Sequence, residues 1–219
     1  MSAFPGTPRV LKGGLVLLDP EGRVIQRVIP LQYNSDTLIR SLQVLGSGPE
    51  SGDRLESLRL KGPPVETIKL EAEIDATDQL EDPDNNADAV NLGIHPQLAA
   101  LETVVYPASA DLQQQNSLAG MGTLEIAPIE APLTLFVWSR NRVVPVRITE
   151  FSITEEAFDP ALNPIRAKIS LTLRVMSIND LDFPTKAASL YLVYQQQKEQ
   201  LARRGAGTST APLGVGGLT

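Results

Sequence analysis

His95 is the only histidine in a chain of 219 residues, so a Ser-His-Asp triad would have to be built around it, and a site with several histidine ligands is impossible. It stands directly before Pro96 at the start of a helical pattern, where a capping or packing role suits it, and no Gly-x-Ser-x-Gly elbow exists in the chain. Asp82, Asp84, Asn86 and Asp88 have the alternate spacing of the oxygen ligands in a helix-loop-helix calcium site. Ala87, however, replaces the turning glycine and Gly93 stands where the closing glutamate belongs, so the run reads as a solvated acidic loop. Gly46, Gly48 and Gly52 suggest a phosphate-binding loop, but no buried strand and helix surround them and no Gly-Lys-Ser/Thr follows. Glu155, Glu156 and Asp159 offer paired carboxylates for acid-base work, yet they sit in a strand connection with nothing convergent and are expected to face solvent or a basic partner. The sequence therefore predicts no catalytic residue, no metal ligand and no cofactor, and a protein that is not an enzyme.

Composition narrows the classes further. Nucleic-acid binding is disfavoured by the net charge of −7, because phosphate backbones are held by clustered Lys and Arg. The chain has no cysteine, which removes thiol nucleophiles, disulfides and cysteine-ligated metals and accords with a cytoplasmic protein. The segment after Met1, SAFPGTPRV, lacks the charged and then apolar run of a signal peptide, and no apolar stretch approaches the roughly 20 residues of a membrane-spanning helix. The expectation is a soluble protein with no membrane contact.

The elements follow from periodicity. Gly14–Leu18, the turn Asp19-Pro20-Glu21-Gly22 and the apolar run from Val24 to Ile29 form a hairpin signal, and residues 37–45 alternate as a further strand. The stretch 46–64 is rich in Gly, Pro and charge and reads as a loop insertion, and 75–92 reads as a second, acidic one. Between them Ile68, Leu70, Ala72 and Ile74 alternate with Thr67, Lys69, Glu71 and Glu73, the pattern of a strand wet on one face. Pro96 opens a short helix near 96–106 that Pro107 stops. Residues 108–132 read as loop, Leu133 to Trp138 as a buried strand, and Ser139 to Arg142 as a turn. Val144, Val146 and Ile148 share one parity while Phe151 and Ile153 share the other, which predicts a β-bulge at Thr149 or Glu150. A clean alternation from Ala167 to Val175 follows. Residues 181–204 form a C-terminal helix with Lys198, Arg203 and Arg204 toward its negative end. Residues 205–219 read as a flexible Gly/Ser/Thr tail.

The hairpin ending in RVIPLQYNSDTLIRSLQ (27–43), the strand ETIKLEAEIDATD (66–78), the helix GIHPQLAALETVVYP (93–107) and the long pair VPVRITEFSITEEAFDPALNPIRAKISLTLRV (144–175) occur in order. Together they resemble the N-terminal domain of the LysM-containing, tail-tube-like baseplate proteins of contractile injection systems, over roughly residues 10–177. The resemblance implies a mainly β, α+β fold over residues 1–180: two antiparallel sheets in a small sandwich or barrel with a helix beside it, closing into rings of six copies. It implies a structural role in a phage-tail-like particle assembled in the cytoplasm, as a baseplate adaptor ring joining the spike hub to the inner tube, or as an inner tube subunit or tube-end cap. The implied partners are further copies of the chain, the spike or hub protein, the inner tube protein and other baseplate components. The LysM module of many relatives is absent. A β-sandwich hydrolase is the competing reading from another class, and it lacks a catalytic set. If the acidic run binds no calcium, chelation leaves the melting temperature unchanged; a calcium-dependent rise of several degrees, measured by differential scanning fluorimetry, overturns that reading.

Overall fold

The computed structural model describes residues 11–46, 59–120, 131–207 and 210. Its strands are β1 (Gly14–Leu18), β2 (Ile25–Pro30), β3 (Leu38–Gln43), β4 (Val65–Asp75), β5 (Leu133–Ser139), β6 (Arg142–Phe158) and β7 (Pro164–Val175). The helices are α1 (Thr77–Leu80), α2 (Ala87–Leu92), α3 (His95–Glu102), α4 (Ser109–Gly120) and α5 (Lys186–Gly205). All the strands join one seven-stranded sheet in the order β2-β1-β5-β6-β7-β4-β3, and every neighbouring pair is antiparallel. The fold is thus mainly β with flanking helices. None of the described helices is long and apolar enough to cross a membrane.

One sheet replaces the two that the resemblance implies, and β6 is the reason. Its residues from Arg142 to Val146 pair with β5, whereas Val146 to Phe158 pair with β7. Beyond Val146 no strand among the described residues lies on its β5 side, so the sheet splits there and its halves can fold over one another. Strands lie about 4.8 Å apart, which would put β2 and β4 about 24 Å apart in a flat sheet of this order. Gln32, just past β2, nevertheless donates through Nε2 to the Asp75 carbonyl of β4 (2.6 Å) and accepts from its N–H (2.9 Å). The sheet is therefore curled until its ends meet.

The curl places one apolar cluster between the halves. Leu15, Leu17 and Ile29 come from one side, and Ile68, Leu70, Ile169, Leu171 and Leu173 come from the other. Ile94, Leu98 and Leu101 of the α3 region join the same cluster. The bulge expected in β6 is present: the β6–β7 register shifts between Ile148 and Glu150. Thr149 donates its hydroxyl to the Thr172 carbonyl (3.1 Å), and the Thr172 hydroxyl donates to the Glu150 carboxylate (2.9 Å). The extra residue keeps Val146, Ile148, Phe151 and Ile153 on the core side, with Val146 buried and the other three packed against the core from part-buried positions. Gly93 has φ 58° and a Cβ there would lie 2.3 Å from the Pro164 carbonyl. That carbonyl also accepts from Ile94 N–H at 2.9 Å. Only glycine lets the α2–α3 corner sit this close to the start of β7.

Several segments depart from expectation. The acidic stretch 75–92 is mostly exposed but winds into α1, a 3₁₀ turn (Pro83–Asn85) and α2, held by local backbone bonds such as Leu80 N–H to Ala76 O (2.9 Å). It is anchored where Ala76 is buried in the core, Leu80 packs against it and Ala89 is buried. Ser109–Gly120, within the expected 108–132 loop, is the helix α4; it buries no residue, so no apolar stripe marks it. The tip of the 46–64 loop and nearly all of the tail beyond Gly207 fall outside the described residues. The C-terminal helix is capped by Thr185, whose hydroxyl accepts from Ala188 N–H (3.2 Å). Its first half belongs to the core, since Tyr191 and Tyr194 join the central cluster. Phe136 is 1% exposed and stacks on Trp138 with ring centres 5.9 Å apart. Phe136→Ala should cost about 3–5 kcal/mol in urea unfolding, and Phe151→Ala, at a half-buried position, clearly less; the reverse order would contradict the curl.

Candidate functional site

The residues that could do chemistry do not come together. His95 is exposed in the first turn of α3, whose cap position is Ile94 and which no side chain caps, so the capping or packing role expected for it is not realised. Asp82 uses its carboxylate locally, accepting from Asn85 Nδ2 at 2.9 and 3.1 Å. Its backbone carbonyl accepts from Asn86 Nδ2 at 2.8 Å. Among the described residues no group of three or more acidic or histidine side chains is gathered closely enough to hold a metal ion. Glu156 is ion-paired to Lys168 (3.1 Å) and Arg166 (3.5 Å) on the outer face of β7. Asp159 instead closes the β6–β7 turn, accepting from the backbone N–H groups of Ala161 and Asn163 at 2.8 Å each. The hydrogen bond from the Asn163 side chain, helped by those backbone donors, holds the Asp159 carboxyl below its ordinary pKa. Gly46 forms an isolated bridge with Leu60, whereas Gly48 and Gly52 lie outside the described residues.

A polar centre that the motifs did not suggest lies at Glu66, which is 4% exposed. Its Oε1 accepts from Arg40 Nε (2.8 Å) and from the Tyr194 hydroxyl (3.1 Å), while Oε2 accepts from Lys198 Nζ (2.9 Å). Arg40 Nη2 lies 2.6 Å from the same carboxylate and donates to the Tyr194 hydroxyl at 3.2 Å. Lys198 Nζ also sits 3.9 Å above the Tyr194 ring, a cation–π contact. One carboxylate thus ties β3, β4 and α5 together. Burial pushes the Glu66 pKa up, but the hydrogen bonds and charges of Lys198 and Arg40 outweigh it and hold the carboxyl below its ordinary value. Burial and the Glu66 charge push the Tyr194 hydroxyl up to about 12. The signal was parity: the buried series Ile68, Leu70, Ala72, Ile74 extends back two residues to Glu66, and a carboxylate on a core face needs cationic partners.

Exposed apolar side chains occur on α4, on α5, in turns and at the sheet's rim. Among the described residues both outer strands have an edge without a strand partner, and both show apolar side chains to solvent. Beside or on β2 these are Val24 (61% exposed), Ile25 (62%) and Val28 (57%); on or after β3 they are Ile39 (55%), Leu42 (49%) and Val44 (66%). The outer face of β4, β7 and β6 is polar, with Lys69 opposite Thr172 and Thr172 opposite Glu150, then Glu73 opposite Lys168 and Lys168 opposite Thr154. A scan against models of protein families and a search of curated proteins both find no match for the chain.

The Glu66 pKa makes a pH-dependent contribution with a definite sign. A carboxyl held below its unfolded value stabilises the fold above the ordinary carboxylate range, and this contribution is lost as pH falls through the folded value. Glu66→Gln should therefore cost about 3 kcal/mol at pH 7, the low end for breaking a buried pair, because Arg40 and Lys198 are 29% and 31% exposed and regain some hydration. The gap between wild type and variant should shrink below about pH 4. Urea titrations across pH showing a constant gap would contradict the clamp.

Proposed function

We propose that the chain is a ring-forming structural protein of a phage-tail-like contractile injection system, a tail-tube-like baseplate adaptor that joins the spike hub to the inner tube. The observation that carries this reading is the pair of open sheet edges, each lined with exposed β-branched or leucine side chains. Such edges invite pairing with any other chain and are ordinarily blunted by charge, proline or a covering element. Here Pro30 ends β2, whose one charge, Arg27, is tied back to α3, and β3 has Arg40 as its single charge, which is turned inward to Glu66. A cyclic assembly removes the liability because each copy covers the edge of the next, and a contact between two different surfaces closes only at a set number of copies.

The polar outer face of β4, β7 and β6 suits the same role. Interspersed Ser, Thr, Lys and Glu make a surface that stays wet, as the wall of a channel for payload or spike must. Function on this reading is mechanical: the ring offers a template to the first tube ring and resists shear through the strands hydrogen-bonded within each copy. No residue takes part in a reaction, and the partners are other copies, the hub, the tube protein and neighbouring baseplate proteins.

Native mass spectrometry and negative-stain electron microscopy of the purified chain, alone and with its particle, test the proposal. Sixfold rings, one per particle end, are expected; many stacked copies would favour a tube subunit, and a monomer at all concentrations within an otherwise intact particle would overturn both. Ile39→Lys and Val28→Lys should abolish ring formation while changing stability by no more than about 0.5 kcal/mol, the usual range for surface substitutions.

A further inference from the structure

Between the inner face of the sheet and α3 lies a cavity of about 350 Å³ whose walls are mostly apolar. Ile29, Ala72, Ile74, Ala100, Leu101 and Ile169 supply much of the lining. Its existence has a sequence cause. At this level the core-facing series of β4 changes from Ile68 and Leu70 to Ala72, and α3 presents Ala100, so two small side chains face one another across the gap.

Polar ties at its margins stop it from collapsing. Arg27 of β2 donates to the Ala100 carbonyl at 3.2 Å and to the Thr103 hydroxyl, fixing α3 against the edge strand. Gln32 holds the end of β2 to Asp75 of β4 through two hydrogen bonds. Arg27, Gln32 and Gln97 all line the cavity, but the first two are committed to these ties. Gln97 is not: its Oε1 is buried with no hydrogen-bond partner among the described residues. A buried acceptor left unpaired is destabilising, so a molecule that supplies one donor here gains a hydrogen bond as well as the apolar contact.

We infer that this cavity is a binding site for a small apolar molecule bearing a single hydrogen-bond donor, an aliphatic alcohol or aromatic amine in chemical class, with its donor on Gln97 Oε1. The volume falls at the lower end of small-molecule pockets, and apolar walls with few placed polar groups are their usual make-up. The site shares Val28 of β2 with the proposed ring contacts but uses neither the β3 edge nor the outer face, so Ile39→Lys tests the ring without touching the cavity.

The test uses the full chain with N-phenyl-1-naphthylamine, an apolar fluorophore with one N–H, and two competitors: 1-octanol and its methyl ether, which lacks the donor. Saturable fluorescence enhancement at one site per chain is expected. Octanol should displace the probe at a concentration at least fivefold lower than the ether, and Gln97→Leu should erase that difference. Ala100→Leu fills the cavity with a good helix former, so it should weaken probe binding at least tenfold without lowering the melting temperature. If that variant is destabilised, Ala72→Val provides the same comparison from the other wall. Absence of saturable binding, equal displacement by alcohol and ether, or full binding in a stably folded filled variant would each overturn the assignment.

Discussion

A seven-stranded sheet can bury one whole face with so few helices only if it curls onto itself, and β6 supplies the curl. This strand is long enough to be paired first with β5 and then with β7, so it belongs to both halves of the sheet while leaving its β5 side free of a strand partner beyond Val146. The bulge at Thr149 sits just past that handover. Bulges bend a strand and raise its local twist, so the bend falls where the pairing on one side has stopped. The apolar cluster, the Gln32–Asp75 closure and the α3 cavity all follow from the halves having been brought face to face.

Once the sheet is curled, its loose rim must be held. Two polar devices do this by different means. Gln32 mimics a strand partner, offering a side-chain amide to the N–H and C=O of Asp75 where β3 no longer covers β4. Glu66 works by charge, drawing Arg40 from β3 and Lys198 from α5 onto one carboxylate. The Glu66 cluster adds little net stability compared with an apolar replacement of the same shape, since burying charge costs most of what pairing returns, whereas Gln32 satisfies backbone groups that an apolar side chain would leave unpaired. Their effect is to specify which helix face docks and where the edge strand stops.

Much of this was legible from residue order. The alternation in β4 and β7, the turn at Asp19 to Gly22, the Pro96 helix start and the one-residue parity shift in β6 are local signals, and each appears where the periodicity puts it. The single curled sheet was not legible, because two sheets and one split sheet have the same alternation along each strand and differ only in whether one strand serves both halves. Helix α4 was missed because Ser109–Gly120 buries nothing, leaving no stripe to detect. Glu66 is silent for a simpler reason: it belongs to no cluster of carboxylates and is set apart only by the parity it shares with Ile68.

The odd number of strands has a geometric consequence for how copies can meet. With every neighbour antiparallel, the first and last of seven strands run the same way, so β2 and β3 point in one direction. A twofold axis perpendicular to the sheet joins like edges antiparallel, whereas rotation about a sixfold axis turns each copy by 60°, too little to reverse a strand. Where β3 of one copy meets β2 of the next around such an axis, the seam is a parallel one inside an otherwise antiparallel sheet. Evenly spaced, slanted hydrogen bonds would replace the alternating narrow and wide pairs. Polarity would then be uniform around the circumference, giving the two rims of the ring different chemistry.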